Sequence, residues 1–307
     1  MSRLRAPIDL LLLLVALLWA INYSVVKAAI AHVPPLAFNT LRLTSASLLL
    51  WSVVYFVKKE GLPREDWGRL TILAVVGHTL YQVCFILGLS ATTVTHSSLV
   101  LGMTPIVVAL LGVIVNAERP STGAWGGLFL SLVGVYLVIG PGPSEPGGIK
   151  GDLLTMGATF CWSLYTVGAG PLLERHGALK VTATTLALGT LLFAPLGVPA
   201  IARLPFASVP PSAWLGLLFS AVFALVVCYS LWYYAVARIG ATRTAVYSNL
   251  TPVAAVIVSI IVLGERVRPV QILGAALIFG GVYFVRKSKR LIQPNRADTM
   301  GAAAPGR

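Results

Sequence analysis

Aromatic and amide side chains recur at helical spacing inside long apolar stretches of the chain. Trp19, Asn22 and Tyr23 are three and four residues apart, and Trp162 and Tyr165 repeat this spacing later in the sequence. Residues with that spacing share one face of a helix. Tryptophan and tyrosine usually lie at the edges of a membrane-spanning helix, whereas these lie near the middle. We therefore predict that they line a solvated cavity and bind a ligand by ring stacking and uncharged hydrogen bonds; helix packing alone is the alternative.

A second set of such residues lies in other apolar stretches. His78 shares a helix face with Gln82, and Tyr81 shares one with Phe85. Polar residues surrounded by hydrocarbon usually face the interior of a helix bundle or a water-filled cavity. We therefore place these four at the same cavity, with satisfied packing as the alternative. The remaining candidate ligand contacts are Tyr229, Trp232, Tyr247 and Asn249.

Charged groups are scarce at this depth. None of the 10 acidic residues falls near the middle of an apolar stretch, so no midplane carboxylate is available to carry a proton. His78 is the deepest titratable group and is our candidate for coupling to protons. Lys27 and Arg42 lie within one or two turns of the predicted outer surface, where long basic side chains snorkel to water. Attraction of a carboxylate substrate is the alternative role for these two cations.

Glu118 and Glu265 each follow a long apolar stretch. A carboxylate at a helix C-terminus opposes the helix dipole, which is a poor position for a proton carrier. We predict that both instead order the turn into the next helix and pair with Arg119 and Arg266.

Two prolines interrupt apolar stretches, Pro105 after Thr104 and Pro252 after Thr251. Proline removes a backbone donor and kinks a helix, and a neighbouring threonine hydroxyl can compensate for the lost hydrogen bond. We predict kinks near the cavity that act as hinges; static packing is the alternative.

Ten apolar stretches must position all of these residues. The chain of 307 residues is 57% hydrophobic and 11% charged, with a mean hydropathy of +0.86. Each stretch approaches the ~20 residues that a helix needs to cross a bilayer, and none alternates as membrane strands do. We predict an all-α integral membrane protein with helices at 8–31, 36–57, 67–89, 94–115, 123–140, 150–171, 179–200, 212–235, 243–263 and 269–286.

Composition also argues against several classes of protein. The net charge of +13 comes from basic residues in short loops and in the tail, as membrane topology requires, so no nucleic-acid partner is expected. The 3 cysteines are odd in number and lie within predicted helices, which gives neither a disulfide framework nor a metal site. No nucleotide-binding loop occurs, and we expect no cofactor.

Lysine and arginine are concentrated on one side of the predicted helices, the side of the N-terminus and of the basic tail. The positive-inside rule therefore places both termini in the cytoplasm, with the chain in a bacterial inner membrane. The polar tail, residues 288–307, is predicted to be disordered.

An internal repeat is the most informative feature of the sequence. A shift of 147 residues aligns Trp67 with Trp214, Pro105 with Pro252, and Glu118 with Glu265 without a gap. It carries each helix five helices onward. Because five is odd, the second copy crosses the membrane in the opposite direction. Inverted repeats around a midplane site are typical of transporters, so we divide the chain into repeats at 1–145 and 146–287.

Several segments resemble one family. The run from Leu17 to Lys27, with Pro34-Pro35 and Leu41-Arg42, is similar to the first two helices of an EamA-type repeat, and Gly151 to Tyr165 and Ala237 to Gly281 are similar to parts of the second. The chain thus resembles the drug/metabolite transporter superfamily, which implies a ten-helix carrier of amino acids, nucleosides, drugs or similar solutes, often moved outward. Its aromatic residues look most like those of the bacterial aromatic amino-acid exporters. Ala20 and Asn116-Ala117 depart from the usual pattern.

Together these features predict a monomeric secondary carrier, an exporter of small metabolites that works by alternating access. Its substrates would be amino acids, including aromatic ones, or drug-like solutes, with protons as the candidate coupling ion. The alternative is a membrane protein without transport activity. One form of it is a sensor, and another is an intramembrane enzyme that uses His96 with Ser97 or Ser98.

Overall fold

The computed structural model describes residues 5–57, 62–116, 122–139 and 148–289, and within these ranges the chain forms helices joined by short turns and no strand. The prediction of an all-helical fold is confirmed. Glu118, Arg119 and residues 290–307 lie outside the described ranges. The helices are α1 (Arg5–Ala29), α2 (Pro35–Val57), α3 (Trp67–Ala74, Val75–Leu80 and Tyr81–Ala91), α4 (Val94–Leu101 and Thr104–Asn116), α5 (Thr122–Ile139), α6 (Gly148–Gly168, extended by Gly170–His176), α7 (Ala178–Ala202), α8 (Pro211–Phe219, Ser220–Val227 and Cys228–Ile239), α9 (Ala241–Ala245, Val246–Asn249 and Leu250–Leu263) and α10 (Pro269–Lys289).

Two helices that the sequence predicts as continuous are broken shortly before their prolines. In α4, a turn at Gly102 and Met103 precedes Pro105, and the Thr104 hydroxyl donates to the Leu101 carbonyl at 2.6 Å. In α9, the tighter 3₁₀ turn Val246–Asn249 precedes Pro252. Proline cannot donate to the preceding turn and its ring crowds that backbone, so the chain breaks there instead of bending smoothly.

Helices α3 and α8 each contain a π-helical segment, Val75–Leu80 and Ser220–Val227. The two segments overlap when the chain is shifted by the repeat length. A π segment leaves some carbonyls without their usual partner, and such segments are frequent at functional sites. The two halves therefore share their irregularities as well as their sequence pattern.

Contacts between helices are symmetric under exchange of the two halves. Helix α2 packs against α7, α4 against α9, and α5 against α10. The other major contacts come as matched pairs. Helix α1 packs on α8 and α9, and its repeat equivalent α6 packs on α3 and α4. The two halves are thus interleaved around a common centre.

The distribution of polarity is the reverse of that in a soluble protein. Phe56 and Ile261 are 82% and 76% exposed, whereas Arg42, His78 and Gln82 are at most 1% exposed. Such an apolar exterior suits hydrocarbon as the surrounding solvent. In the described ranges, 5 segments are long and apolar enough to cross a membrane on their own, namely Ile8–Ala29, Arg64–Ala91, Val94–Gly112, Ala178–Ala202 and Pro211–Ile239.

Candidate functional site

A central cavity lies where the two halves meet, between α1, α2, α3, α4, α6, α8 and α9. The structure places eight of the predicted ligand contacts around it: Trp19, Asn22, Tyr23, Tyr81, Gln82, Phe85, Trp162 and Tyr229. The two helix breaks also border this space, through Gly102 and Thr104 of α4 and through Thr251 and Pro252 of α9. Pro105 is buried but does not line the cavity.

Aromatic side chains are prominent in the cavity wall, namely Trp19, Tyr23, Tyr81, Phe85, Trp162 and Tyr229. The Trp162 ring centroid lies 5.6 Å from that of Trp19, 5.1 Å from that of Tyr81 and 5.2 Å from that of Tyr229. The cavity volume is about 60 Å³, room for roughly four to six water molecules at ~10–15 Å³ each. An aromatic amino acid is larger than this, so a ligand of that size enters only when the rings separate.

Two residues at equivalent positions of the two repeats form a hydrogen bond in the cavity wall. The Gln82 amide donates to the Tyr229 hydroxyl at 3.1 Å, and the two residues are 147 positions apart. Nearby, the Trp19 indole N–H donates to the Ala224 carbonyl at 3.1 Å, inside the π segment of α8. The irregular backbone therefore supplies a hydrogen-bond partner to a residue of the cavity wall.

Arg42 also lines the cavity, and the prediction that it snorkels to water is wrong. Its side chain is 1% exposed, and it donates to the Gln82 side-chain oxygen at 2.7 Å and to the Ser220 hydroxyl at 2.9 Å. Its guanidinium carbon lies 5.6 Å from the centroid of the Phe85 ring. The reason is tertiary, because α3 and α8 offer polar partners that hold the side chain inside the bundle.

Five predicted contacts lie away from the cavity lining. One is Trp232, which is buried with its ring centroid 5.1 Å from that of Trp19, and two others, His78 and Tyr165, lie behind the wall. Their rings are 4.8 Å apart, and both reach the Thr185 hydroxyl, at 3.2 and 2.6 Å respectively. Tyr247 donates to a carboxylate oxygen of Asp9 at 2.6 Å, which joins α9 to α1. Asn249 lies half-buried in the 3₁₀ turn of α9.

Glu265 caps the beginning of α4. Its carboxylate accepts hydrogen bonds from the backbone N–H groups of Val94 and Thr95, at 2.7 and 3.0 Å, and from the Thr95 hydroxyl at 2.7 Å. A negative charge at a helix N-terminus is favourable. In the described ranges no ion pair joins Glu265 to Arg266, so the predicted pairing of these two residues is wrong.

The Lys27 ammonium lies at the terminus of the neighbouring helix. It donates to the carbonyls of Leu89 and Thr92 at 2.7 and 2.6 Å, at the C-terminal end of α3. A cation is stabilised there by the helix dipole. Lys27 is half-buried, so the prediction that it snorkels to water stays a prediction.

A buried histidine–carboxylate pair was missed by sequence reasoning. The Asp152 carboxylate lies 3.1 Å from Nδ1 of His96 and accepts a hydrogen bond from the Thr92 hydroxyl at 2.8 Å, while Nε2 of His96 contacts the Gln271 amide at 2.6 Å. These residues come from the beginnings of α4, α6 and α10, so each looks peripheral in the sequence. No local signal shows that these helix ends meet.

The serines proposed for an intramembrane enzyme are bonded elsewhere. The Ser97 hydroxyl contacts the Thr155 hydroxyl at 3.4 Å, and the Ser98 hydroxyl donates to the Thr95 carbonyl at 3.1 Å. A general base must lie within hydrogen-bond reach of its nucleophile. His96 has Asp152 and Gln271 at its two ring nitrogens instead, so this arrangement gives the enzyme hypothesis no support.

Comparisons with known proteins agree with the sequence pattern. The profile of the EamA-like transporter family matches the chain twice, over residues 6–140 and 149–287. A protein of Archaeoglobus fulgidus named an uncharacterized transporter is 31% identical over 286 residues, which cover 91% of this chain and 97% of that protein. A crystal structure matches 94% of this chain and 99% of its own with a TM-score of 0.67. Its sequence identity is 20%, so the match bears on the fold alone.

Two similar proteins have more specific names. One is a "probable amino-acid metabolite efflux pump" of Salmonella typhimurium, which is 27% identical and covers 89% of this chain and 92% of its own. The other is a "probable terminal-alkyne amino-acid exporter" of Streptantibioticus cattleyicolor, which is 25% identical and covers 94% of this chain and 96% of its own.

Proposed function

The chain belongs to the EamA-like transporter family, and on that premise we propose that it is a secondary carrier that exports small metabolites across the bacterial inner membrane. The observation that carries the proposal is the aromatic cavity where the two halves meet. We propose amino acids with apolar side chains, aromatic ones included, as the main substrates. The names of two relatives support this choice.

The proposed topology has ten crossings in two inverted repeats, residues 1–145 and 146–287, with both termini and the tail 288–307 in the cytoplasm. The double family match and the symmetric helix packing support two equivalent halves. The odd number of helices in each half and the excess of basic residues on one side support the inversion. We propose that the carrier works as a monomer.

Alternating access is the proposed mechanism. Broken helices at equivalent positions of two repeats are typical of transporter binding sites, and here the breaks in α4 and α9 border the cavity. Rocking of the two halves about these breaks would separate the aromatic rings and open the cavity to one side at a time. Non-helical backbone is tolerated at membrane depth where it lines such a cavity.

Proteoliposomes test the proposal. The purified chain should exchange radiolabelled phenylalanine or tryptophan across the membrane, and glutamate poorly. Trp162→Ala should raise the half-saturation concentration by about thirtyfold, because truncating a central aromatic contact typically costs ~2 kcal/mol. Trp214→Ala is the matched control, since Trp214 stacks on Phe206 away from the cavity.

Absence of exchange for every solute in a panel of amino acids and apolar cations would refute the carrier proposal. Equal transport of glutamate and phenylalanine would refute the proposed substrate preference, and an effect of Trp214→Ala as large as that of Trp162→Ala would remove the link to the cavity.

A further inference from the structure

We propose that Arg42 forms an anion-binding subsite in the cavity, so that the preferred substrates carry a carboxylate joined to an apolar body. This inference rests on the proposed transport function and names the chemical group that the carrier recognises.

Arg42 is a buried cation without a counter-ion. Its side chain is 1% exposed, and its hydrogen-bond partners Gln82 and Ser220 are both neutral. In the described ranges no carboxylate lies within ion-pair distance of it, and its Nε has no hydrogen-bond partner. Burying an ion without a partner is costly, so the site favours any ligand that brings a negative charge.

The guanidinium is held in place from both halves of the chain. Gln82 follows the π segment of α3, and Ser220 begins the π segment of α8. A planar guanidinium binds a carboxylate through two parallel hydrogen bonds. Because the guanidinium is already fixed before a ligand arrives, binding a carboxylate costs little further conformational entropy of the Arg42 side chain.

The rest of the cavity suits the apolar part of such a substrate and a hydrogen-bond donor group on it. The rings of Trp19, Tyr81 and Trp162 form the apolar wall. Two other lining atoms are buried without a protein partner, Oδ1 of Asn22 and the hydroxyl oxygen of Thr251. Both can accept hydrogen bonds, so an ammonium group next to the carboxylate would find an acceptor.

Matched ligands test the subsite directly. Binding to the purified full-length protein is measured by calorimetry for phenylalanine, 3-phenylpropionate and phenethylamine. The first two carry the carboxylate, and the third lacks it. We expect both carboxylates to bind at least about tenfold more tightly than phenethylamine, the ratio expected for charge-assisted hydrogen bonds. Arg42→Gln should reduce this ratio to nearly one while phenethylamine still binds.

Controls separate recognition from folding. Arg203→Gln removes an exposed arginine and should leave the ratio unchanged. Arg42→Lys keeps the charge but loses the planar guanidinium, so it should give an intermediate ratio. Persistent phenethylamine binding by Arg42→Gln shows that the variant is folded. If that variant does not fold, the ratio measured on the unaltered protein still decides the question.

The inference is overturned if the unaltered protein binds phenethylamine as tightly as the two carboxylates, or if millimolar chloride alone displaces them. In either case, exchange of phenethylamine or another apolar solute in proteoliposomes would leave the carrier proposal intact. Absence of exchange for all solutes would instead refute the proposed function itself.

Discussion

His78 and His96 are the two buried histidines that can be compared as proton carriers, and their surroundings differ. His78 is fully buried behind Tyr165 and Tyr229, and its ring forms a hydrogen bond with the neutral hydroxyl of Thr185. His96 faces the Asp152 carboxylate at the ends of three helices. A group that exchanges protons during transport must meet water or substrate in part of the cycle. In the proposed rocking mechanism, helix ends would separate and gain such contact, whereas an enclosed ring would not.

We therefore expect Asp152→Asn to abolish accumulation of substrate driven by a pH gradient while exchange down a substrate gradient continues. His78→Gln, the matched change at the other histidine, should retain accumulation. Proteoliposomes with an imposed pH gradient measure both activities. Loss of accumulation in His78→Gln with its retention in Asp152→Asn would instead assign coupling to His78, as the sequence alone suggests.

At the scale of the helices, the pair α5 and α10 packs closely through glycine. A Cβ placed on Gly134 would lie 2.6 Å from the Gly274 carbonyl oxygen and 2.8 Å from the Ile278 backbone nitrogen. These are backbone atoms, which cannot move aside as the end of a flexible side chain can. None of the side chains that the structure describes in these two helices lines the cavity, so this pair supports the bundle from outside the site.

Gly134→Ala should accordingly lower the stability of the protein by about 1–3 kcal/mol, the usual cost of overpacking, and leave substrate affinity unchanged. Thermal unfolding in detergent and ligand binding measure the two effects. Gly126→Ala in the same helix is the control, since no atom lies within 4 Å of its added methyl group. Equal melting temperatures for the two variants would contradict the packing argument.

At the scale of the whole molecule, the proposed inversion places equivalent loops on opposite sides of the membrane. In a background in which Cys84, Cys161 and Cys228 are replaced, Pro120→Cys should react with an impermeant maleimide only from the cytoplasm. Val267→Cys should react only from outside. Labelling of intact cells and of inverted vesicles distinguishes these cases. Reaction of both positions from the same side would refute the inverted repeat.

The sequence alone determined the class of the protein, the positions of its helices and its family. Helix formation and hydropathy depend on residues within a few turns of one another, and the repeat is visible as a one-dimensional pattern. The family resemblance also rests on such patterns, and the double profile match agrees with it. Helical periodicity brought Trp19, Asn22 and Tyr23 to one face, which the structure places at the cavity.

Tertiary structure decided which groups pair across the bundle. The partners of Arg42 are 40 and 178 positions away in the chain, and those of Glu265 are 170 and 171 positions away. Depth along a single helix suggested that Arg42 reaches water, but polar partners on neighbouring helices hold it inside the bundle. That location depends on which helices are neighbours and on their irregular segments, and local sequence does not encode either. Only the packed bundle makes Arg42 a buried cation at the central cavity.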